Sequence, residues 1–509
     1  QIYYAIQNII RGKDSTIVKV VSLSLGLFLS IVLFARVAME LSYDTFYQGH
    51  KQLHFVQTAW DFGKGGNPGI ENSLYPTGPT IMQHFPEQVE SATVINSWWP
   101  VEFKHGERIY NGKDFLVADS LFFQTMGIPL LEGNAKDLGM RNVIFMSQSF
   151  AREVFGNENP MGKTLLWNNK NQAIVKGIYA DIPENNTFRG KAVLSMASLD
   201  IRKDWFSGGS CSSVVRLKEG ADMDFINERI NPILANYIPM EEHYTKLAQA
   251  KGIKVSLTPM DGYHLSFSKV RTMLYILSLL GFVLLISAAF NYALISISSL
   301  AHRAKAIGVH KCSGAENGSI FAMFFWETSF VVFISVVISV FLILNLNEQI
   351  EEVMEVSTKS LFSWNNLWAP LLAIVILFVI GCILPGRLFS SIPVTQVFRR
   401  YTEGKKRWKY PLLCMQFGGT AFLLGIVAMV SVQYHYVMHK DMGYDTKGLV
   451  YINHSFSNPQ NALTNLRNLP FVEGAENAST RIMNPIKNLS VEDNNGNWKF
   501  TPRIHYANE

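Results

Sequence analysis

Residues 273–297 read MLYILSLLGFVLLISAAFNYALISI, inside a stretch with no Asp, Glu, Lys or Arg between Arg271 and Arg303. A bilayer core about 30 Å thick is crossed by roughly 20 helical residues, and a helix satisfies every backbone group there. Buried helices of soluble proteins rarely run this long without charge, so the stretch reads as a membrane span. Four more segments meet the same test, residues 17–39, 320–346, 367–391 and 410–437, giving five spans in all. In the first, Lys19 and Arg36 stand near the ends, where long side chains snorkel towards water. Its length, and the lack of a small-residue cleavage pattern after it, argue against a cleaved signal peptide. Trp364 and Trp368 at the head of the fourth form an aromatic belt. The third carries one acid, Glu327, about two turns inside its boundary. Facing lipid would cost it on the order of 3 kcal/mol, so it is expected to face the bundle or a partner. Two roles fit it, a structural hydrogen bond to a neighbouring helix or a link between a loop and the spans, and the sequence shows no proton-relay partner.

The 509 residues exceed one domain, and 48 % apolar against 17 % charged residues disfavours both disorder and a wholly soluble enzyme. Lys and Arg exceed Asp and Glu by 45 to 40, too little to imply a nucleic-acid partner. Their distribution is more telling. The amino-terminal arm (residues 1–16), the connection between the second and third spans (Arg303, Lys305, Lys311) and that after the fourth (Arg387, Arg399, Arg400, Lys405, Lys406, Arg407, Lys409) are basic. The connection between the third and fourth holds Glu348, Glu351, Glu352 and Glu355 against Lys359. The positive-inside rule then puts the amino terminus and residues 386–409 inside, and residues 40–270, 347–366 and 438–509 outside. Four cysteines exclude a disulfide scaffold, since Cys211 alone falls in the outer segment while Cys312, Cys382 and Cys414 lie elsewhere.

Residues 40–270 are long enough for a core of their own. Apolar runs at 142–146, 173–178 and 214–217 read as strands and alternate with helical patches at 147–155 and 226–237, a mixed α/β (α+β) pattern. Tyr43-Asp44-Thr45 after the first span returns as Tyr444-Asp445-Thr446 after the fifth, followed by a strand-like run at 449–452. The fold class is therefore a polytopic α-helical membrane protein with an α/β extracytoplasmic domain, in which a half is duplicated and the second copy truncated. An offset of roughly 400 residues predicts an intact protein of about 800 with eight spans. Residues 399–409 are a basic linker, and 438–509 begin the second outer domain.

Catalytic signatures are weak. Gly156-Asn157-Glu158-Asn159-Pro160-Met161-Gly162-Lys163-Thr164 resembles a phosphate-binding loop but has one residue too many between its glycines, and Pro160 interrupts the cradle of N–H groups, so it reads as a turn. Phe206-Ser207-Gly208-Gly209-Ser210 is likewise no nucleotide signature. No His-Glu-x-x-His or Gly-x-Ser-x-Gly motif occurs, and neither an enzymatic role nor a metal or cofactor is expected.

The segment His302-Arg303-Ala304-Lys305-Ala306-Ile307-Gly308-Val309-His310-Lys311-Cys312-Ser313-Gly314-Ala315 interleaves basic and apolar residues between two spans and could form a short helix on the membrane face, closed by Gly314. A solvated loop that only enforces topology is the alternative. The segment resembles the coupling loop of the MacB/FtsX family of ABC permeases. Ala118-Asp119-Ser120-Leu121-Phe122-Phe123, Met126-Gly127-Ile128-Pro129-Leu130-Leu131-Glu132-Gly133, Phe155-Gly156 with Pro160-Met161-Gly162-Lys163, and Gly177-Ile178-Tyr179-Ala180-Asp181-Ile182-Pro183-Glu184-Asn185 are similar to the MacB-like periplasmic core. Glu327 and Pro393-Val394 match the family's permease domain, here residues 271–398.

The resemblance implies a permease subunit in the bacterial inner membrane whose coupling residues are Arg303, Lys305, Ile307, Gly308, Val309, His310, Lys311, Gly314 and Ala315, with Glu327 as the intramembrane acid. MacB carries its ATPase on the same chain. Here the arm before the first span is too short for one, so a cytoplasmic ABC ATPase dimer is expected as a separate subunit, with a second permease, identical or different, beside it. The implied cargo is an amphiphile met at the lipid surface: a lipoprotein, peptide or antibiotic. An alternative is a non-transporting regulator, of the FtsX type, that activates an extracytoplasmic partner such as a cell-wall hydrolase.

Overall fold

The computed structural model describes residues 13–61, 73–96, 101–111, 114–168, 171–200, 203–205, 211–237, 252–298, 308–390, 409–440, 448, 450, 459–476, 487–488, 491–492, 498–500 and 503–504. Twelve strands among them form one sheet: β1 (Leu53–Asp61), β2 (Val89–Asn96), β3 (Glu102–His105), β4 (Arg108–Asn111), β5 (Phe115–Ala118), β6 (Leu130–Gly133), β7 (Val143–Ser147), β8 (Thr164–Trp167), β9 (Asn171–Tyr179), β10 (Ala192–Ser195), β11 (Ser212–Leu217) and β12 (Gly252–Pro259). Their order is β12-β1-β11-β2-β5-β10-β7-β9-β8-β3-β4, with β6 added on β9. The pairs β5–β10 and β7–β9 are parallel and the others antiparallel.

Sequence pattern explains position. β5, β7 and β10 are buried at every residue and lie mid-sheet, as unbroken apolar runs covered on both faces must. β8 alternates exposed and buried near one side. Successive residues of the central strands feed opposite cores: Val94, Val117 and Ile144 pack on one face with the helix Gln148–Phe155, while Ile95, Leu116 and Phe145 pack on the other with the helix Phe122–Met126. A third cluster joins Val56, Ala92, Val215 and Leu257 to the helices Thr77–His84 and Met223–Leu234. That last helix also guards the edge strand. Asn231 exchanges hydrogen bonds with Val255 N and O (2.7 and 2.9 Å), and Asn227 does the same for Leu257 (2.7 and 3.2 Å). Gly177 is obligatory, because the Phe145 ring lies 2.1 Å from where a Cβ would stand.

Five helices are long and apolar enough to cross a membrane: Lys13–Leu41, Ser268–Ser298, Asn317–Asn345, Trp368–Ser390 and Lys409–His439, hereafter the first to fifth membrane helices. The first packs against the second, third and fourth. Small residues permit this closeness: a Cβ on Gly26 would lie 2.5 Å from Ala288 Cβ. Hydroxyls bond across the helices, Ser339 Oγ to Ser24 O at 3.0 Å, Ser30 Oγ to Gly281 O at 3.3 Å and Tyr292 Oη to Thr328 Oγ1 at 3.0 Å.

The chain divides into two compact units, 1–423 and 424–509. In the second, the helix Pro459–Arg467 ends with Arg467 paired to Glu476, and two short antiparallel pairs occur, Lys487–Asn488 with Arg503–Ile504 and Val491–Glu492 with Trp498–Phe500. Tyr444-Asp445-Thr446 and all but residue 450 of the run 449–452 lie outside the described residues.

Candidate functional site

Three polar clusters in the first unit lie along the membrane helices and the base of the sheet domain. At the basic end, residues 308–312 form a helical turn. Gly314, at φ +89°, closes it: its N–H reaches Lys311 O at 3.1 Å and the Ala315 N–H reaches His310 O at 3.0 Å. This is the left-handed helix end that favours glycine. Glu316 then leads straight into the third helix. Gly308 is buried, whereas Val309 is 56 % exposed. Lys311 Nζ donates to Ser390 O at 2.7 Å, placing a cation on the last carbonyls of the fourth helix, where the helix dipole favours it. Arg303, Lys305 and Ile307 lie outside the described residues.

Within the bundle, Glu327 Oε1 stands 3.6 Å from Lys19 Nζ, and the two side chains are 7 % and 1 % exposed. The Tyr292 ring lies 5.7 Å from the same ammonium. Glu327 thus faces the bundle, and its partner is Lys19. Lys19 corrects the expectation that it snorkels: it turns inward to Glu327, as ionisable residues within spans face the bundle interior and pair with one another. Arg36, also expected to reach for water, is only 16 % exposed and pairs with Glu40 at 2.7 Å.

At the domain end, Glu40 also takes His264 Nε2 at 2.5 Å, joining the exit of the first helix to the entry of the second. The His264 ring stacks on Tyr43 at 3.6 Å, 8° from parallel. Burial pushes the Tyr43 hydroxyl pKa up. Asp44, at φ +60°, accepts from Thr187 N and Thr187 Oγ1, both at 2.7 Å, while its own N–H donates to Asn185 O at 2.9 Å. Asn185 Nδ2 donates to Ser42 O and Oγ at 2.9 Å, and Ser42 Oγ donates to Asn366 Oδ1 at 2.8 Å. Glu184 Oε2 accepts from Ser357 N at 3.0 Å. The turn holding Glu184, Asn185 and Thr187, which follows β9, is therefore bonded to the exit of the first helix and to the connection between the third and fourth.

Tyr43-Asp44-Thr45 and Pro183-Glu184-Asn185 were visible as motifs, but not that they meet. Asn366 and His264 gave no signal. The loop-like run from Gly156 forms turns, with Lys163 paired to Glu158, and Phe206-Ser210 lies outside the described residues. No group of three metal-ligating side chains occurs among the described residues.

A multi-pass helical anchor joined through short polar contacts to an α/β domain defines a polytopic membrane protein with a folded domain outside its spans. Residues 16–233 match the family model of the MacB-like periplasmic core domain, and residues 278–394 match that of the FtsX-like permease C-terminal region. The chain belongs to the MacB/FtsX family of ABC permeases and is a multi-pass protein of the bacterial inner membrane. It is 23 % identical over 259 residues to the macrolide export ATP-binding/permease protein MacB of Aggregatibacter actinomycetemcomitans, covering 49 % of this chain and 38 % of that protein. Similar solved structures include a domain of a putative permease protein from Porphyromonas gingivalis (20 % identity, TM-score 0.35, 42 % of this chain and 93 % of that one). Others are the periplasmic region of MacB from Actinobacillus actinomycetemcomitans (16 %, 0.28, 40 % and 87 %) and the extracellular domain of the ABC-type transporter YknZ from Gram-positive bacteria (11 %, 0.28, 40 % and 98 %).

Proposed function

We propose that the chain is a non-enzymatic permease subunit that carries force from a separate cytoplasmic ABC ATPase dimer to its extracytoplasmic domain. A second permease, identical or different, would complete the assembly, and the cargo would be an amphiphile such as a lipoprotein, peptide or antibiotic. The observation that carries this reading is the placement of the three polar clusters. The turn at 308–312 is anchored to the fourth helix through Lys311 and continues into the third; Glu327 ties the third to the first through Lys19; and the first is bonded to the sheet domain through Glu40, Asp44 and Asn185.

An ATPase that displaces the residues around Val309 would then move the first and second helices, and with them the domain between them in sequence. No pore through the spans is required. Permease membership and the exposed apolar Val309 support docking at this end. The test is to reconstitute the intact protein with the ABC ATPase of its native host. Stimulated ATP hydrolysis together with release of a labelled lipoprotein or amphiphile supports the reading. Stimulation without release turns it towards a regulator of an extracytoplasmic partner, and no stimulation overturns it.

A further inference from the structure

A cavity of about 610 Å³ opens at the base of the sheet domain, lined by Gly49, His50, Lys51, His54 and Lys218, with Glu219 also on its wall. It lies close to both connections to the membrane. His50 follows the turns that leave the first helix, and His54 pairs in register with Pro259, the last residue of the strand that leads to the second helix.

Beside the cavity sits Arg216, 7 % exposed. Its Nε donates to Thr125 O at 2.7 Å, Nη1 to Gln52 Oε1 at 3.1 Å and Nη2 to Gln48 O at 2.7 Å. All three acceptors are neutral, and among the described residues no carboxylate lies within 4.0 Å of this guanidinium. A buried cation is ordinarily paired. Gly49, at φ +65°, keeps the main chain tight over it, since a Cβ there would stand 2.6 Å from Nη1. Gln52, which also lines the cavity, links the parts: its side chain holds Arg216 and its carbonyl holds His54 Nδ1 at 3.0 Å. Lys51 and Lys218 stand exposed on the cavity wall. Glu219 on the wall and Glu90 near Arg216 oppose these three cations without balancing them. A concave wall with a buried, only partly opposed cation behind it concentrates positive potential in the opening.

We propose that this cavity binds a phosphoryl anion presented at the outer membrane surface. Arg216 uses three of its five N–H donors on protein acceptors and acts mainly through its field, while Lys51 and Lys218 supply mobile point charges for the phosphoryl oxygens. The volume exceeds that of a bare phosphate and suits a phosphoglycerol-sized headgroup. The site is independent of any ATPase.

The test uses the full chain in uncharged detergent, with dioctanoyl phosphatidylglycerol, dioctanoyl phosphatidylcholine and inorganic phosphate as probes, followed by calorimetry. Phosphatidylglycerol should bind saturably and at least tenfold more weakly to Lys218→Glu, with little change for Lys136→Glu, an exposed lysine outside the cavity that controls for net charge. Competition by inorganic phosphate assigns a free anion as the ligand, and its failure to compete assigns the lipid headgroup; either outcome supports the site. Equal binding of phosphatidylcholine, or equal weakening by Lys136→Glu, overturns it. A thermal midpoint for each variant excludes misfolding as the cause.

Discussion

Lys19 of the first membrane helix and Glu327 of the third face each other at 3.6 Å, buried inside the bundle. Tyr292 of the second helix lies against the same ammonium and bonds Thr328, next to Glu327. One ion pair therefore draws three helices together. Two charges taken out of water repay their desolvation only while both are present, and removing one strands the other. Glu327→Leu or Lys19→Met should each destabilise the protein by about 3–5 kcal/mol, whereas the two together should recover most of that. Thermal unfolding of the full chain in detergent reads all three; additive losses in the double variant would show that the pair is not coupled.

A second joint can be opened outside the bilayer. Asp44→Ala removes two hydrogen bonds to Thr187 and leaves an alanine at φ +60°. Loss of charge-assisted bonds and the left-handed strain together should cost about 2–4 kcal/mol. Asp44→Asn keeps an acceptor and tolerates that backbone, so it should cost less. Hydrogen exchange at residues 184–187 should rise in the alanine variant more than in the core strands. Unchanged exchange there would mean that the turn is held without Asp44.

Much of the architecture was legible before any coordinates. Uncharged runs marked the membrane helices, and the apolar runs at 142–146, 173–178 and 214–217 marked strands, but the order of those strands in the sheet was not legible, because pairing joins residues far apart in sequence. The inward turn of Lys19 was not legible. A lysine near the end of a helix has two resting places, water at the boundary or a buried partner, and the choice rests on Glu327, far away in sequence. The joint at Asp44 was half legible: Tyr43-Asp44-Thr45 and Glu184-Asn185 stood out as motifs, but their meeting is a product of tertiary folding. His54 and Arg216 gave no signal, since isolated basic residues in strands are common and only burial makes them unusual.

Burial also predicts a pH dependence. Desolvation lowers the pKa of His54 below its ordinary 6.5, although the hydrogen bond to Gln52 O opposes the shift. The unfolded chain then binds a proton more readily than the folded one. The stability tied to neutral His54 is present above pH 6.5 and falls as pH drops through the folded value. His54→Gln should flatten that part of the profile, so the difference in thermal midpoint between the two proteins should change between pH 7 and pH 5. A constant difference over that range would assign the acid sensitivity to other groups.

The basic end offers the most direct functional prediction. Val309 is 56 % exposed, so Val309→Asp leaves no cavity in the bundle and should cost little stability, within about 0.5 kcal/mol. If the turn at 308–312 docks an ATPase through apolar contact, a carboxylate there is buried unpaired on binding, and stimulation of ATP hydrolysis should fall at least tenfold while membrane insertion and thermal midpoint hold. Pairing it with Ile307→Asp should abolish stimulation. Lys311→Ala should act differently: it frees the turn from the fourth helix at Ser390 O, so the ATPase should still bind while its stimulation weakens. Stimulation unchanged in the Val309 variant would reduce this segment to a basic loop that orients the chain in the membrane.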